Sequence, residues 1–314
     1  MYTVPVVSEF PQVLILAGGR GTRLGGVVSD RPKCLAEVAG RPFLEYLILK
    51  LRHDGFREFV VSTGYRAEAI DDYLADRAGM WSELGVSIVG LREESPLGTG
   101  GAIGHARGLL RGERFLAANG DSLLDIDAGA LLRYHEEMSA FVTLGLAVVK
   151  DASRYGTVEL DESFAGESEV SRSQSLKASG CQEGCGRVKR FCEKTNRHEP
   201  GLINGGLYVM RRELLDEIPE GRSVSLEREV LPRLLEAGSL KVAASQRLNV
   251  SESHERLGVY GMVSRSYFVD IGTPEDYGRL RKNPSALIRA AGAGKYEVRS
   301  SKYEVRKQIR ETGR

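Results

Sequence analysis

The sequence predicts an α/β protein whose strands form a mostly parallel sheet covered by helices on both faces. Two observations carry this expectation. Short apolar runs alternate with amphipathic segments through the first half of the chain. Polar, glycine-containing loops follow directly on two of those runs, at residues 17–25 and 119–121.

The elements follow in order. Val13–Leu16 is an unbroken apolar run, the pattern of a strand buried on both faces. Pro42–Arg52 carries an apolar face at helical spacing and stops near Gly55. Phe59–Ser62 reads as a second strand, Ala67–Ala75 as a second helix, and Val86–Gly90 as a third strand. Gly100–Leu110 is a helix that tolerates glycine, Phe115–Ala118 a strand ending in Asn119-Gly120-Asp121, and Phe141–Val148 a fifth strand. Strands joined through helices pair in parallel, and such sheets bind ligands at the carboxyl ends of their strands. Both loops are therefore expected on that edge.

The second half is less regular. Gly186–Lys194 and Gly205–Met210 read as strands, Leu226–Ala237 as a helix despite Pro232, and Tyr267–Ile271 as a short strand containing Asp270. Residues 163–185 and 245–264 read as surface insertions. The pentapeptide KYEVR occurs at 295–299 and again at 302–306 without an a/d pattern, so residues 283–314 read as a flexible tail and not a coiled coil.

Composition narrows the function classes. The chain has 314 residues, 41% hydrophobic and 28% charged, the mix of a soluble globular protein. A formal net charge of +1 argues against whole-surface attraction to nucleic acid or membranes, so basic chemistry must be local. The first residues lack the basic start and long apolar stretch of a signal peptide. Cys34, Cys181, Cys185 and Cys192 form no CxxC pair and read as free thiols of a cytoplasmic protein. No signature of an assembly state is present.

The loop Leu16-Ala-Gly-Gly-Arg-Gly-Thr-Arg-Leu-Gly25 leaves the first strand. GxxxxGK[ST] is absent, and GxGxxG fails because Leu24 stands where its last glycine belongs. Gly18, Gly19 and Gly21 can still present bare N–H groups to phosphate, and Arg23 and Lys33 add permanent charge.

The loop followed by Arg31-Pro32-Lys33 resembles the signature of the sugar-1-phosphate nucleotidyltransferases, the NDP-sugar pyrophosphorylases. Further matches follow in the family's order: ESPLGTGG (94–101), NGD (119–121), YG (155–156), EK (193–194), LINGG (202–206) and DIGTP (270–274). RPFLEY (41–46), NGDSLLDID (119–127), SRYG (153–156), GLINGGLYV (201–209) and SLEREVLP (225–232) are most similar to D-glycero-α-D-manno-heptose 1-phosphate guanylyltransferases, with mannose-1-phosphate guanylyltransferases close by. The resemblance spans about residues 12–282. It implies a single Rossmann-like three-layer α/β/α domain of the GT-A-like kind over 1–282, with a small sugar-side lobe.

The resemblance also implies the chemistry: GTP and a sugar 1-phosphate give a GDP-sugar and pyrophosphate, in the service of bacterial surface glycans. The nucleophile is a phosphate oxygen that is already anionic, so no general base is required. This suits a chain whose five histidines fall outside the motifs. Leu16, Ala17, Gly18, Gly19, Gly21 and Thr22 are then the triphosphate loop, with Gly98 in a second nucleotide loop. Arg23, Lys33 and Asp121 are the catalytic set. Asp121 and Asp270 are the implied ligands of Mg²⁺, a hard cation suited to carboxylate and phosphate oxygens. Gly156, Glu193, Lys194 and Asn204 face the sugar phosphate. Guanine offers N–H donors, so Glu93 or Glu94 is the candidate acceptor. A non-catalytic NDP-sugar-binding regulator is the competing reading, and it predicts loss of Arg23, Lys33, Asp121 or Asp270; all four are present.

Overall fold

A computed structural model describes residues 10–19, 21, 31–161, 184–192, 194, 198–236 and 258–295. The first part of the chain gives β1 (Val13–Leu16), β2 (Glu37–Val38), β3 (Arg41–Pro42), α1 (Phe43–His53), β4 (Glu58–Thr63), α2 (Ala67–Asp76), α3 (Ala78–Glu83), β5 (Ser87–Arg92) and α4 (Gly98–His105). It continues with β6 (Arg114–Asn119), β7 (Ser122–Leu124), α5 (Ala128–Glu137), β8 (Val142–Val149) and β9 (Thr157–Leu160). The remainder holds β10 (Gly186–Cys192), β11 (Gly201–Arg211), a π-helical turn Leu226–Val230 leading into α6 (Leu231–Glu236), β12 (Val259–Ser264), β13 (Phe268–Asp270), α7 (Pro274–Lys282) and α8 (Ser285–Ala290).

One nine-stranded sheet runs β5-β4-β1-β6-β11-β8-β12-β10-β9. β5, β4, β1 and β6 are parallel, as helical crossovers require. β11 enters antiparallel against both β6 and β8, β12 is parallel to β8, and β10 and β9 close the far edge antiparallel. The parallel character is thus concentrated in the half that carries the Gly-rich loop. Alternate residues feed two separate cores, one on each face. Val13, Phe59 and Leu116 pack with α1 and α5, while Leu14, Val60 and Phe115 pack with α4 and α6. This is a three-layer α/β/α arrangement.

Two sequence expectations are corrected. Residues 259–264, read as the end of an insertion, form β12, buried along its whole length and paired with β8. The apolar run VYGMVS was obscured by the polar stretch before it. Residues 285–295, read as the start of the tail, instead cover α1, with Leu287, Ala291 and Ala293 buried. Burying one leucine of this kind contributes about 1.5–3 kcal/mol. The stretch at 163–183, the part of 245–257 and the KYEVR repeat beyond residue 295 lie outside the described residues.

Candidate active site

Parallel strands that end level with one another make a shelf. Leu16 pairs with Ser62 and Asn119, and Thr63 pairs with Arg92. The Gly-rich loop, Gly64-Tyr65, Glu93 and Asn119-Gly120-Asp121 therefore emerge on one carboxyl edge, the edge expected from the sequence for the first and last of them. The loops are stitched by main chain: Gly120 N–H donates to the Leu16 carbonyl at 2.9 Å and Tyr65 N–H to the Gly18 carbonyl at 3.1 Å.

Each glycine here has its own reason. A Cβ on Gly18 would lie 2.4 Å from Glu93 Oε1. A Cβ on Gly19 would meet nothing within 4 Å among the described residues. Gly21 sits at φ +57° with Lys33 against it. Glu93 is buried, and its carboxylate accepts from Ser62 Oγ at 2.8 Å and from Leu97 N–H at 3.2 Å. Glu94 is exposed, so the structure separates the two acidic candidates. Gly98, at φ +69°, would place a Cβ 2.5 Å from the Val224 carbonyl, which accepts from Gly100 and Gly101 N–H. The segment that opens with Gly98 therefore rests on residues 222–226.

The charged centre is Lys33, Asp121 and Asp270. Lys33 Nζ lies 2.5 Å from Asp121 Oδ2 and 3.6 Å from Asp270 Oδ1. A β-ribbon brings the two aspartates together: β13 pairs with β7, Asp270 opposes Ser122, and Ile271 N–H donates to the Asp121 carbonyl at 3.0 Å. Burial and the neighbouring Asp121 push the Asp270 carboxyl above the usual range, with Lys33 pulling the other way. Asp270 Oδ1 is buried and accepts no hydrogen bond among the described residues. Two carboxylates beside one cation, one oxygen of them unsatisfied, fit a hard divalent cation. Cys34, next to Lys33, is no nucleophile, since burial and Asp121 push its thiol up to about 12.

A cavity of about 420 Å³ opens beside Asp270, and Gly156, Lys194 and Asn204 line it, as the sequence expected of a sugar-phosphate site. Asn204 precedes a bulge in β11, where the register against β8 jumps from Asn204–Leu146 to Leu207–Gly145. Its Oδ1 accepts from Gly206 N–H at 3.0 Å. Arg20, Thr22, Arg23 and Glu193 lie outside the described residues.

Sequence reasoning missed several lining groups. Arg154 donates to Asp276 Oδ2 at 2.7 Å and to Thr273 Oγ1 at 3.2 Å, closing one wall. Thr273 caps α7 through Asp276 N–H, with Pro274 at the first turn, a signal legible in DIGTPED. Glu227, in the π-helical turn, also lines the cavity. No histidine lines it among the described residues. No helix of the described residues is long and apolar enough to cross a membrane.

Comparison with known proteins agrees with this geometry. A family model described as nucleotidyl transferase matches residues 12–284. The chain is 35% identical over 266 residues to a mannose-1-phosphate guanylyltransferase of Mycobacterium tuberculosis, covering 85% of this chain and 62% of that relative. It is 31% identical over 271 residues to a D-glycero-alpha-D-manno-heptose 1-phosphate guanylyltransferase of Aneurinibacillus thermoaerophilus, covering 86% of this chain and 97% of that one. Among solved structures it is similar to HddC from Yersinia pseudotuberculosis, also solved complexed with GMP-PN, at 26% identity and a TM-score of 0.65, covering 87% of this chain and 99% of HddC.

Proposed function

The chain belongs to the nucleotidyl transferase family, and within it we propose a sugar-1-phosphate guanylyltransferase that joins GMP from GTP to a sugar 1-phosphate and releases pyrophosphate. D-glycero-α-D-manno-heptose 1-phosphate is the favoured acceptor, because the heptose-phosphate relative and this chain match over nearly the relative's whole length. Mannose 1-phosphate is the second reading, favoured by the higher identity to the mycobacterial relative.

The observation that carries the proposal is the junction of Lys33, Asp121 and Asp270 between the Gly-rich loop and a cavity lined by Lys194 and Asn204. Two polyanions must meet there and charge must pass to the departing pyrophosphate, so positioning and cations are the chemistry the site has to supply. Gly18, Gly19 and Gly21 offer backbone N–H groups to the triphosphate, and Lys33 lowers the repulsion at the α-phosphate. Arg23 completes this cationic set in our reading. Glu93 has lone pairs left after Ser62 and Leu97 and accepts the guanine N–H donors. Lys194 binds the sugar's phosphate, Asn204 its hydroxyls, and the site's Gly156 leaves room for the ring. Asp121 and Asp270 would hold Mg²⁺, which supplies charge neutralisation between the reacting phosphates. A reaction that draws on GTP suits the cytoplasm.

The test is pyrophosphate release with Mg²⁺, offering GTP, ATP, CTP and UTP each against heptose, mannose and glucose 1-phosphates. Release dominated by GTP with heptose phosphate supports the proposal. Release with GTP and mannose phosphate moves the sugar and keeps the mechanism. Silence in every pairing overturns the catalytic reading.

A further inference from the structure

Two segments of the site meet at one hydroxyl. Tyr208, the fourth residue after Asn204 in β11, is fully buried. Its phenol donates to Glu227 Oε1 at 3.1 Å and accepts from Asn204 Nδ2 at 2.7 Å. A phenol has one hydrogen to give and two lone pairs to receive, so these contacts use its hydrogen and one lone pair.

The chain of bonds continues outward. Glu227 Oε2 accepts from Thr99 Oγ1 at 2.7 Å, and Thr99 Oγ1 accepts from Leu226 N–H at 2.9 Å. Thr99 belongs to the GTGG first turn of α4, whose Gly100 and Gly101 N–H groups already bond the Val224 carbonyl at 2.9 and 3.1 Å. At the other end Asn204 is held by Gly206 and lines the sugar cavity. One buried phenol thereby connects the start of α4 with the sugar cavity.

The direction of the chain is fixed. Burial and the Glu227 carboxylate keep the phenol protonated, well above the ordinary tyrosine range. The Glu227 side-chain oxygens accept from both hydroxyls. The Tyr208 ring packs in an apolar core that phenylalanine would fill equally well, so packing does not explain the oxygen. A hydroxyl placed in such a core is costly unless fully bonded. Glu227 is presented from a five-residue π-helix, a rare turn that occurs frequently at functional sites.

We propose that Tyr208 and Glu227 form a positioning relay that holds Thr99 and Asn204 in one register, so that filling the nucleotide site prepares the sugar site. Its kinetic readout rests on the guanylyltransferase reading. Neither residue is assigned contact with a reacting atom; both act through the groups they hold.

Tyr208→Phe removes one oxygen and keeps the ring. With a substrate pair that supports turnover, the variant is expected to lose about tenfold or more in kcat/KM, through a raised KM for the sugar phosphate together with a lowered kcat. Thr99→Val is expected to cost several-fold in the wild type and less than about twofold in the Tyr208→Phe background, because the link it breaks is already cut. Glu227→Gln is the second variant. Its amide cannot accept from both hydroxyls, so its kinetics should match Tyr208→Phe, and its half-exposed position spares the fold. Independent, multiplicative losses at Thr99 and Tyr208 would overturn the relay. So would variants that melt early yet turn over like wild type below the melt. A wild type silent with every substrate pair overturns the guanylyltransferase reading alone. The relay is then read by amide hydrogen exchange, where Tyr208→Phe should speed exchange at Gly100 and Gly101 about tenfold or more. Unchanged protection there would overturn it.

Discussion

Gly18→Ala tests the reading of the nucleotide loop most sharply. The added methyl would lie 2.4 Å from Glu93 Oε1 and 2.9 Å from Glu93 Cδ, closer than real contacts allow. The carboxylate cannot simply swing aside, because Ser62 Oγ and Leu97 N–H hold its two oxygens and the residue is 8% exposed. Displacing it forfeits both hydrogen bonds, each worth about 1.5–3 kcal/mol when one partner is charged. The lost glycine entropy returns up to about 1 kcal/mol. A net destabilisation of about 2–5 kcal/mol follows, which in a chain of this size lowers the melting temperature by roughly 3–8 °C. The assay is urea denaturation of Gly18→Ala, Glu93→Ala and the double variant. In the Glu93→Ala background the methyl has room, and Gly18→Ala should cost less than about 0.5 kcal/mol. An equal cost in both backgrounds would mean that Gly18 answers to something other than Glu93. The same displacement should raise the KM for GTP if Glu93 is the guanine acceptor.

Two further predictions concern charge. His135 is buried, with Nδ1 3.0 Å from Thr143 Oγ1, and burial together with Arg211 and Arg114 lowers its pKa to about 3. An unfolded histidine takes up its proton near pH 6.5, so stability present above that value should fall by about 1.4 kcal/mol per pH unit between pH 6.5 and 3; His135→Gln should flatten this slope in acid-denaturation curves, and an unchanged slope would count against it. Asp270 has a raised pKa, so its contribution to stability is present below the ordinary aspartate range and lost as pH rises through the raised value. Asp270→Asn in chelated buffer at pH 7.5 should therefore melt no lower than wild type, while Mg²⁺ should raise the wild-type melt and leave the variant's nearly unmoved; a clear drop in the chelated variant would refute the buried-charge argument.

The strands of the N-terminal half were legible because buried parallel strands read as uninterrupted apolar runs, and Val13–Leu16, Phe59–Ser62 and Phe115–Ala118 are of that kind. β12 has the same character, and only its polar neighbours hid it. α5 was missed although Asp127 caps it at Ala130 N–H, a signal that a search for helix starts would find. Lys33, Asp121, Gly156, Lys194 and Asn204 could be named one by one from motifs. What no linear reading shows is which of them touch: the Lys33 bridge to two aspartates, or the Thr99–Glu227–Tyr208–Asn204 chain, exists only through strand register.

That register ties the two halves of the site together at Ser122. Gly206 stands at φ +77° with no space for a side chain, since its Cβ would lie 2.4 Å from Ser122 Oγ. Ser122 Oγ in turn donates to the Gly205 carbonyl at 3.4 Å, and its backbone opposes Asp270 in the ladder that sets the aspartate pair. The β11 bulge beside Asn204 therefore also packs against Ser122, the neighbour of Asp121 and the ladder partner of Asp270. A larger residue at Gly206 would have to lift Ser122, and with it the spacing of the two carboxylates. If the proposed sugar contacts hold, changes in the LINGG segment should consequently appear in Mg²⁺ dependence as well, whereas changes at Gly156, where a Cβ would meet the Cys192 carbonyl at 3.1 Å and nothing else among the described residues, should not.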